Sequence, residues 1–284
     1  MDTAPLTGGC HYSWDCNGYL YGCGKCPGLF SSERKDQSAI NLEFKFKYFS
    51  KMDMEVIVCS EWQKKQASSS LLFKTKKIHK ILLSIDSEIF SYVPKKLAKE
   101  KIGIPNRRKV IFFGAAYLDD KRKGLIYFLE ALKILRNSDF HDNSNVIILF
   151  AGENMNFSNE IPYEYKYVGK LANNEQLAMI YQAADVFVCP SIEDAGPMMI
   201  NQAIMTGTPV ASFDMGVSYD LVINEITGYR AKLRDSIDLA KGLRYILDLN
   251  PKEHIKMCLN SRNLALSEYT YKQATKNILQ LIGN

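Results

Sequence analysis

Long apolar runs are missing from this 284-residue chain. No stretch approaches the roughly 18 residues that a membrane-spanning helix needs, which excludes one. Gly and Pro are few, 17 and 9 residues, so collagen-like and low-complexity chains are excluded. A hydrophobic content of 46% with 24% charged residues leaves disorder without support. The opening Met1-Asp2-Thr3-Ala4-Pro5 has neither a basic n-region nor an apolar h-region, so no secretory signal is expected. Internal repeats are absent. So is the interleaving of aromatic and basic residues that would favour nucleic acid as a partner.

Charge is present but uneven. Residues 1–110 carry 19 Lys and Arg against 11 Asp and Glu, whereas the remainder carries 17 against 20. The basic part includes Lys74-Thr75-Lys76-Lys77, Lys95-Lys96 and Arg107-Arg108-Lys109. Such a surface attracts anionic headgroups or phosphorylated substrates, or is simply a solvated face. Seven cysteines are present, and four form the pattern C-x5-C-x6-C-x2-C at Cys10, Cys16, Cys23 and Cys26. An odd total without an export signal argues against a disulfide framework. A tetrahedral structural zinc ion, reduced thiols and a redox pair remain open for the four, with His11 an alternative ligand. Cys59, Cys189 and Cys258 sit in apolar runs and are expected to pack in the core.

The first forty residues, rich in Gly, Cys, Tyr and Ser, predict a loop region. A strand is predicted over 54–59, followed by a helix with Ser60 as its cap. A second apolar run covers 78–83. The Lys-rich, Pro-containing stretch after it predicts a linker. From residue 109 apolar runs alternate with helical periodicity. Strands are predicted at 109–114, 146–152, 165–169, 185–190 and 209–213. Helices are predicted at 124–136, 175–183 and 198–205. This alternation implies a parallel sheet covered on both faces.

Two strand ends carry chemistry. After the first comes Gly114-Ala115-Ala116-Tyr117-Leu118-Asp119-Asp120-Lys121-Arg122-Lys123-Gly124, with three successive cations at a helix start. Cations and the free N–H groups of a helix N-terminus both attract phosphate. The second is Pro190-Ser191-Ile192-Glu193-Asp194-Ala195-Gly196-Pro197-Met198-Met199, leading to Gln202. Its carboxylates and carboxamide suit sugar or ribose hydroxyls, or else merely cap the helix.

In order along the chain, Gly114…Lys123-Gly124, Tyr167-Val168-Gly169-Lys170-Leu171, Tyr181-x-x-Ala184-Asp185-Val186-Phe187 and Pro190-Ser191…Gly207-Thr208-Pro209-Val210 resemble the retaining glycosyltransferases of family 4. The opening Leu6-Thr7-Gly8-Gly9-Cys10-His11-Tyr12, with its Cys-Gly-x-Cys-Pro, is similar to a subgroup that builds capsular, exopolysaccharide or lipopolysaccharide O-chains. The resemblance implies an α/β, GT-B-like fold. One doubly wound, Rossmann-like C-terminal domain that binds nucleotide sugar would cover 109–265. An incomplete N-terminal, acceptor-side domain would cover 1–90, a linker 91–108, and a C-terminal helix packing back towards the N-terminal part 266–284. A complete two-domain fold of this kind needs roughly 350–400 residues, so a truncated first domain is expected. The His-Asp that precedes the Thr-Gly-Gly-Cys-His-Tyr region in related sequences is Met1-Asp2 here.

Site roles follow from the same resemblance. Lys123 would neutralise the donor diphosphate, with Arg122 assisting and Lys121 a substitute. Asp194 or Glu193 would hold the donor-sugar hydroxyls, and Gln202 the ribose. Backbone near Gly114, Gly169, Gly196, Pro197, Met198 and Met199 would line the donor site. Ala115 stands where the family usually has Arg, and Gln202 where it has Glu; both weaken the expected donor contacts. The implied activity is that of a hexosyltransferase using a UDP- or GDP-sugar without metal in the chemistry, with a polysaccharide or lipid-linked acceptor. The expected place is the cytoplasm, peripheral to the inner membrane face. The alternatives are a non-catalytic nucleotide-sugar-binding fragment or subunit whose partner chain supplies the absent half, and, last, an epimerase of the same fold.

Overall fold

The computed structural model describes residues 3–140 and 143–283; the expectation drawn on Met1-Asp2 lies outside them. The chain forms two compact units, one of residues 1–82 with 193–196, the other of 83–192 with 197–284.

The first unit holds the short helix α1 (Gly18–Tyr21), helix α2 (Gln37–Phe49), strand β1 (Glu55–Val58), helix α3 (Glu61–Ser69) and strand β2 (Lys77–Lys80). The two strands pair in parallel, Val56 opposite Ile78. Asp36 caps α2, accepting from the Ser38 and Ala39 amides. Ser60 caps α3, its Oγ accepting from the Gln63 amide at 3.1 Å, which is the role its position predicts. Leu6, Leu42, Val58, Ala67, Leu72 and Phe73 form a small buried core.

The second unit contains α4 (Lys95–Lys101), β3 (Lys109–Tyr117), α5 (Leu125–Arg136), β4 (Val146–Glu153), β5 (Glu164–Tyr167), α6 (Asn174–Ala183), β6 (Val186–Cys189), α7 (Met198–Met205), β7 (Val210–Phe213), α8 (Ser218–Leu221), β8 (Gly228–Ala231), α9 (Ser236–Asp248), α10 (Pro251–Glu268) and α11 (Tyr271–Ile282). Its six strands are all parallel, in the order β5-β4-β3-β6-β7-β8. Strands β6 and β7 are buried at every position, so both faces of the sheet are covered. Phe128, Leu129, Leu132 and Leu135 recur at helical spacing and form the buried face of α5. Phe113 stacks on Phe128 across 5.3 Å, tying that helix to the sheet. The α/β class with one doubly wound, parallel-sheet domain expected from the sequence is therefore the architecture observed.

The stretch 91–108 differs from the expected linker. It contains α4, and Lys99 on that helix is buried, its Nζ 2.7 Å from the Asp185 carboxylate. The lysines that look solvated in sequence include one whose charge is neutralised inside the fold. The C-terminal stretch 266–284 holds the end of α10 and α11, both within the second unit. Among the described residues no helix is long and apolar enough to cross a membrane.

Candidate functional site

Strand order reverses between β3 and β6. In an open parallel sheet, ligands bind beyond the carboxyl ends of the strands at such a reversal. The basic turn leaves β3 there, and the acidic loop leaves β6.

Backbone contacts lock the basic turn to the end of β6. Lys121–Lys123 form one 3-10 turn, with the Asp120 carboxylate accepting from the Arg122 amide at 3.0 Å. The Arg122 carbonyl accepts from the Ile192 amide at 2.8 Å. Gly124 has φ of +69°, and a Cβ there would stand 1.8 Å from the Pro190 carbonyl oxygen, so only glycine lets the turn lie this close. Lys123 is half-buried, immediately before the amides that open α5. The Arg122 guanidinium pairs with the Asp120 carboxylate. The assisting phosphate contact expected of Arg122 therefore competes with an ion pair two residues away.

A cavity of about 240 Å3 opens at the carboxyl ends of β3 and β4. Ala116, Gly152, Glu153, Lys170, Leu177 and Met199 are among its lining residues. Lys170 Nζ lies 2.6 Å from Glu153 at the rim, and this hydrogen bond raises the lysine pKa. Gly169 turns with φ of +69°, and its carbonyl accepts from the Gly152 amide at 2.9 Å. Gly114 sits beside Met199, whose Cε would be 2.8 Å from any Cβ added there. The structure thus brings Gly114 and Met199 together on one wall. Gly169 adjoins that wall through Gly152. Glu153, Lys170 and Leu177 were not among the expected site residues. Glu153 and Lys170 follow the apolar runs 146–152 and 165–169, and that position is the signal for them.

Helix α7 starts after Pro197, with Met198 about half exposed and Gln202 buried. The Gln202 Oε1 accepts from the Tyr181 hydroxyl at 3.3 Å. Burial holds the Tyr181 phenol well above its ordinary pKa, so it remains a donor. The carboxamide expected to receive a ribose hydroxyl is already oriented by this bond.

Residues 193–196 cluster with the first unit. Glu193 and Asp194 are both buried, and Asp194 Oδ1 accepts from the Gly196 amide at 3.2 Å. The Ala195 carbonyl accepts from Ser60 Oγ at 2.9 Å. Gly196 lies against Cys59, where a Cβ would stand 2.7 Å from the sulfur. Burial, with Asp194 adding to it, pushes the Cys59 thiol up to about 11. Among the described residues no three His, Cys, Asp or Glu side chains are grouped to hold a metal ion as they stand. The expected zinc set of Cys10, Cys16, Cys23 and Cys26 is thus not closed.

A fully parallel six-stranded sheet, with a basic turn at its reversal and a pocket beyond β3 and β4, defines an α/β unit of the doubly wound class. The chain belongs to the family described as Glycosyl transferases group 1, which matches residues 94–263. It is 27% identical over 229 residues to the UDP-Gal:alpha-D-GlcNAc-diphosphoundecaprenol alpha-1,3-galactosyltransferase of Escherichia coli, covering 77% of this chain and 58% of that protein. It spans 58% to 66% of the length of the two curated relatives that match most of it. The fold is similar to that of the sucrose-phosphate synthase of Thermosynechococcus elongatus, with a TM-score of 0.71 at 20% identity over 87% of this chain and 61% of that one. It is also similar to Anabaena HepE solved with UDP and glucose, with a TM-score of 0.67 at 14% identity over 86% and 67%.

Proposed function

We propose that this chain binds a nucleoside-diphosphate sugar, UDP- or GDP-linked, and transfers the sugar with retention of configuration to a polysaccharide or lipid-linked acceptor. The observation that carries the reading is the basic turn, bonded through Arg122 to the end of β6, packed there at Gly124 and followed by the N-terminus of α5. Lys123 neutralises the diphosphate as it departs, in a setting where a fixed cation is worth more than in water. The 240 Å3 cavity takes the base or ribose, with Gln202 presenting its carboxamide to the ribose. Asp194 or Glu193 holds donor-sugar hydroxyls, since a carboxylate accepts strong, charge-assisted hydrogen bonds. The transfer needs no metal. The Escherichia coli relative is named for UDP-galactose and a diphosphoundecaprenol acceptor, which supports a lipid-linked acceptor. The basic first 110 residues suit the anionic surface that would carry it. That acceptor favours work on the cytoplasmic membrane face, in capsule or lipopolysaccharide assembly.

The test is isothermal titration with UDP, GDP and their hexose derivatives, followed by sugar-transfer assays on a prenyl-diphosphate acceptor. Saturable binding of one nucleotide series with transfer supports the reading. Binding of neither series rejects it. Binding without transfer, restored by a second polypeptide, supports the binding-subunit alternative.

A further inference from the structure

The cysteine-rich opening has no part in the donor reading, yet the fold gathers it. Cys10, Cys16, Cys23 and Cys26 all line one cavity of about 300 Å3 in the first unit. All four are free thiols. The Cys16 and Cys23 sulfurs flank Gly18, lying 3.5 and 3.8 Å from the point its Cβ would take. Gly8 is equally constrained: a Cβ there would meet the Ser38 carbonyl oxygen at 2.2 Å and the Cys23 sulfur at 3.1 Å.

The turn between the last pair is held in an unusual shape. Cys23, Gly24 and Lys25 have φ of +34°, +101° and +49° in succession. Left-handed conformations of residues other than glycine persist only where the surroundings fix them. Here the Gly24 amide donates to Ser38 Oγ at 3.1 Å and the Cys26 amide to Asp36 at 2.7 Å, which pins the turn to the start of α2. The Gly18 amide donates to the Cys16 sulfur at 3.4 Å, as amides do towards metal-bound thiolates. The apolar core of the unit is small, and small folds need an added staple.

We propose that Cys10, Cys16, Cys23 and Cys26 bind one zinc ion, and that this ion fastens residues 3–36 to α2. Each thiol that ligates gives its proton to solvent, and the sulfurs close on the ion by turning about their Cα–Cβ bonds within the open cavity. The inference is independent of the donor reading, because no donor contact enters it.

The test is elemental analysis of full-length protein purified in reductant without chelator, with hydrogen exchange before and after zinc removal. About one zinc per chain is expected, lost in Cys23→Ser/Cys26→Ser. Removal should speed exchange in 3–36 and leave β3–β8 protected. Zinc below about a tenth per chain, stoichiometric iron, or a disulfide among the four in the purified protein overturns the metal assignment. If the variant fails to fold, the wild-type metal content decides alone. Bound zinc with unchanged exchange in 3–36 overturns the fastening role. UDP affinity is read in parallel, so failure here and failure of the donor reading are distinguishable.

Discussion

The Ile192 amide donates to the Arg122 carbonyl across 2.8 Å, so the turn after β3 and the loop after β6 share one backbone bond. Lys123 follows directly on one side, and Asp194 lies two residues beyond on the other. Lys123 thus stands on a turn that is bonded to the end of β6.

Gly124 is the tightest point of that junction. Gly124→Ala places a methyl group 1.8 Å from the Pro190 oxygen as built, at a positive φ. Strain of this kind costs about 1–3 kcal/mol. Denaturant titration should show that loss of stability, and nucleotide affinity should fall with it as the turn is displaced. Unchanged stability contradicts the packing described.

The cavity at β3 and β4 is tested by filling it. Ala116 is exposed at its mouth, so Ala116→Trp should block it with no change in denaturation midpoint, as surface substitutions shift stability by about 0.5 kcal/mol or less. Nucleotide affinity should fall about tenfold or more, a change of about 1.4 kcal/mol. Full affinity would place the base elsewhere.

Lys99 and Asp185 form a buried pair that also accepts the Val110 amide at 2.7 Å. Burial alone would raise the Asp185 carboxyl, but Lys99 first, then His254 and the Val110 amide, hold it below its ordinary value of 3.8. The stabilisation it gives is complete above that value and is lost as pH falls through the lowered native pKa. Asp185→Asn leaves Lys99 without a counter-charge and should cost about 3–5 kcal/mol. The double change Lys99→Met/Asp185→Leu should recover most of that loss in urea unfolding. Equal damage from the double change contradicts the pairing.

His254 is a second buried titratable group. Burial lowers its pKa below 6.5, Asp185 opposes that, and Lys95 adds to it. Its Nε2 lies 2.8 Å from the Asp185 carbonyl oxygen. The unfolded chain therefore binds the proton more tightly, and stability declines as pH drops below about 6.5. His254→Gln should flatten that part of the stability–pH curve. An unaltered slope shows that another group sets it.

These tests also mark what was legible in the residues. Apolar runs placed β3, β4, β5, β6 and β7, and Ser60 announced its cap by type and position. Lys99 was hidden because nothing local distinguishes a lysine that will meet Asp185, 86 positions away. The short β8, Gly228–Ala231, carries no apolar run to mark it. The basic turn was visible as charge beside a helix start. The glycine contact on Pro190 that immobilises it depends on strand order, which no single stretch encodes. Gln202 could be named, but its bond to Tyr181 could not, because it joins two helices.

The central claim is that Lys123 neutralises the diphosphate of a sugar nucleotide. Calorimetric titration of Lys123→Ala with the nucleotide sugar that the wild type binds tests it most directly. Loss of one charge-assisted contact of about 1.5–3 kcal/mol predicts an affinity at least about tenfold weaker, with the denaturation midpoint unchanged. An affinity equal to that of the wild type contradicts the account.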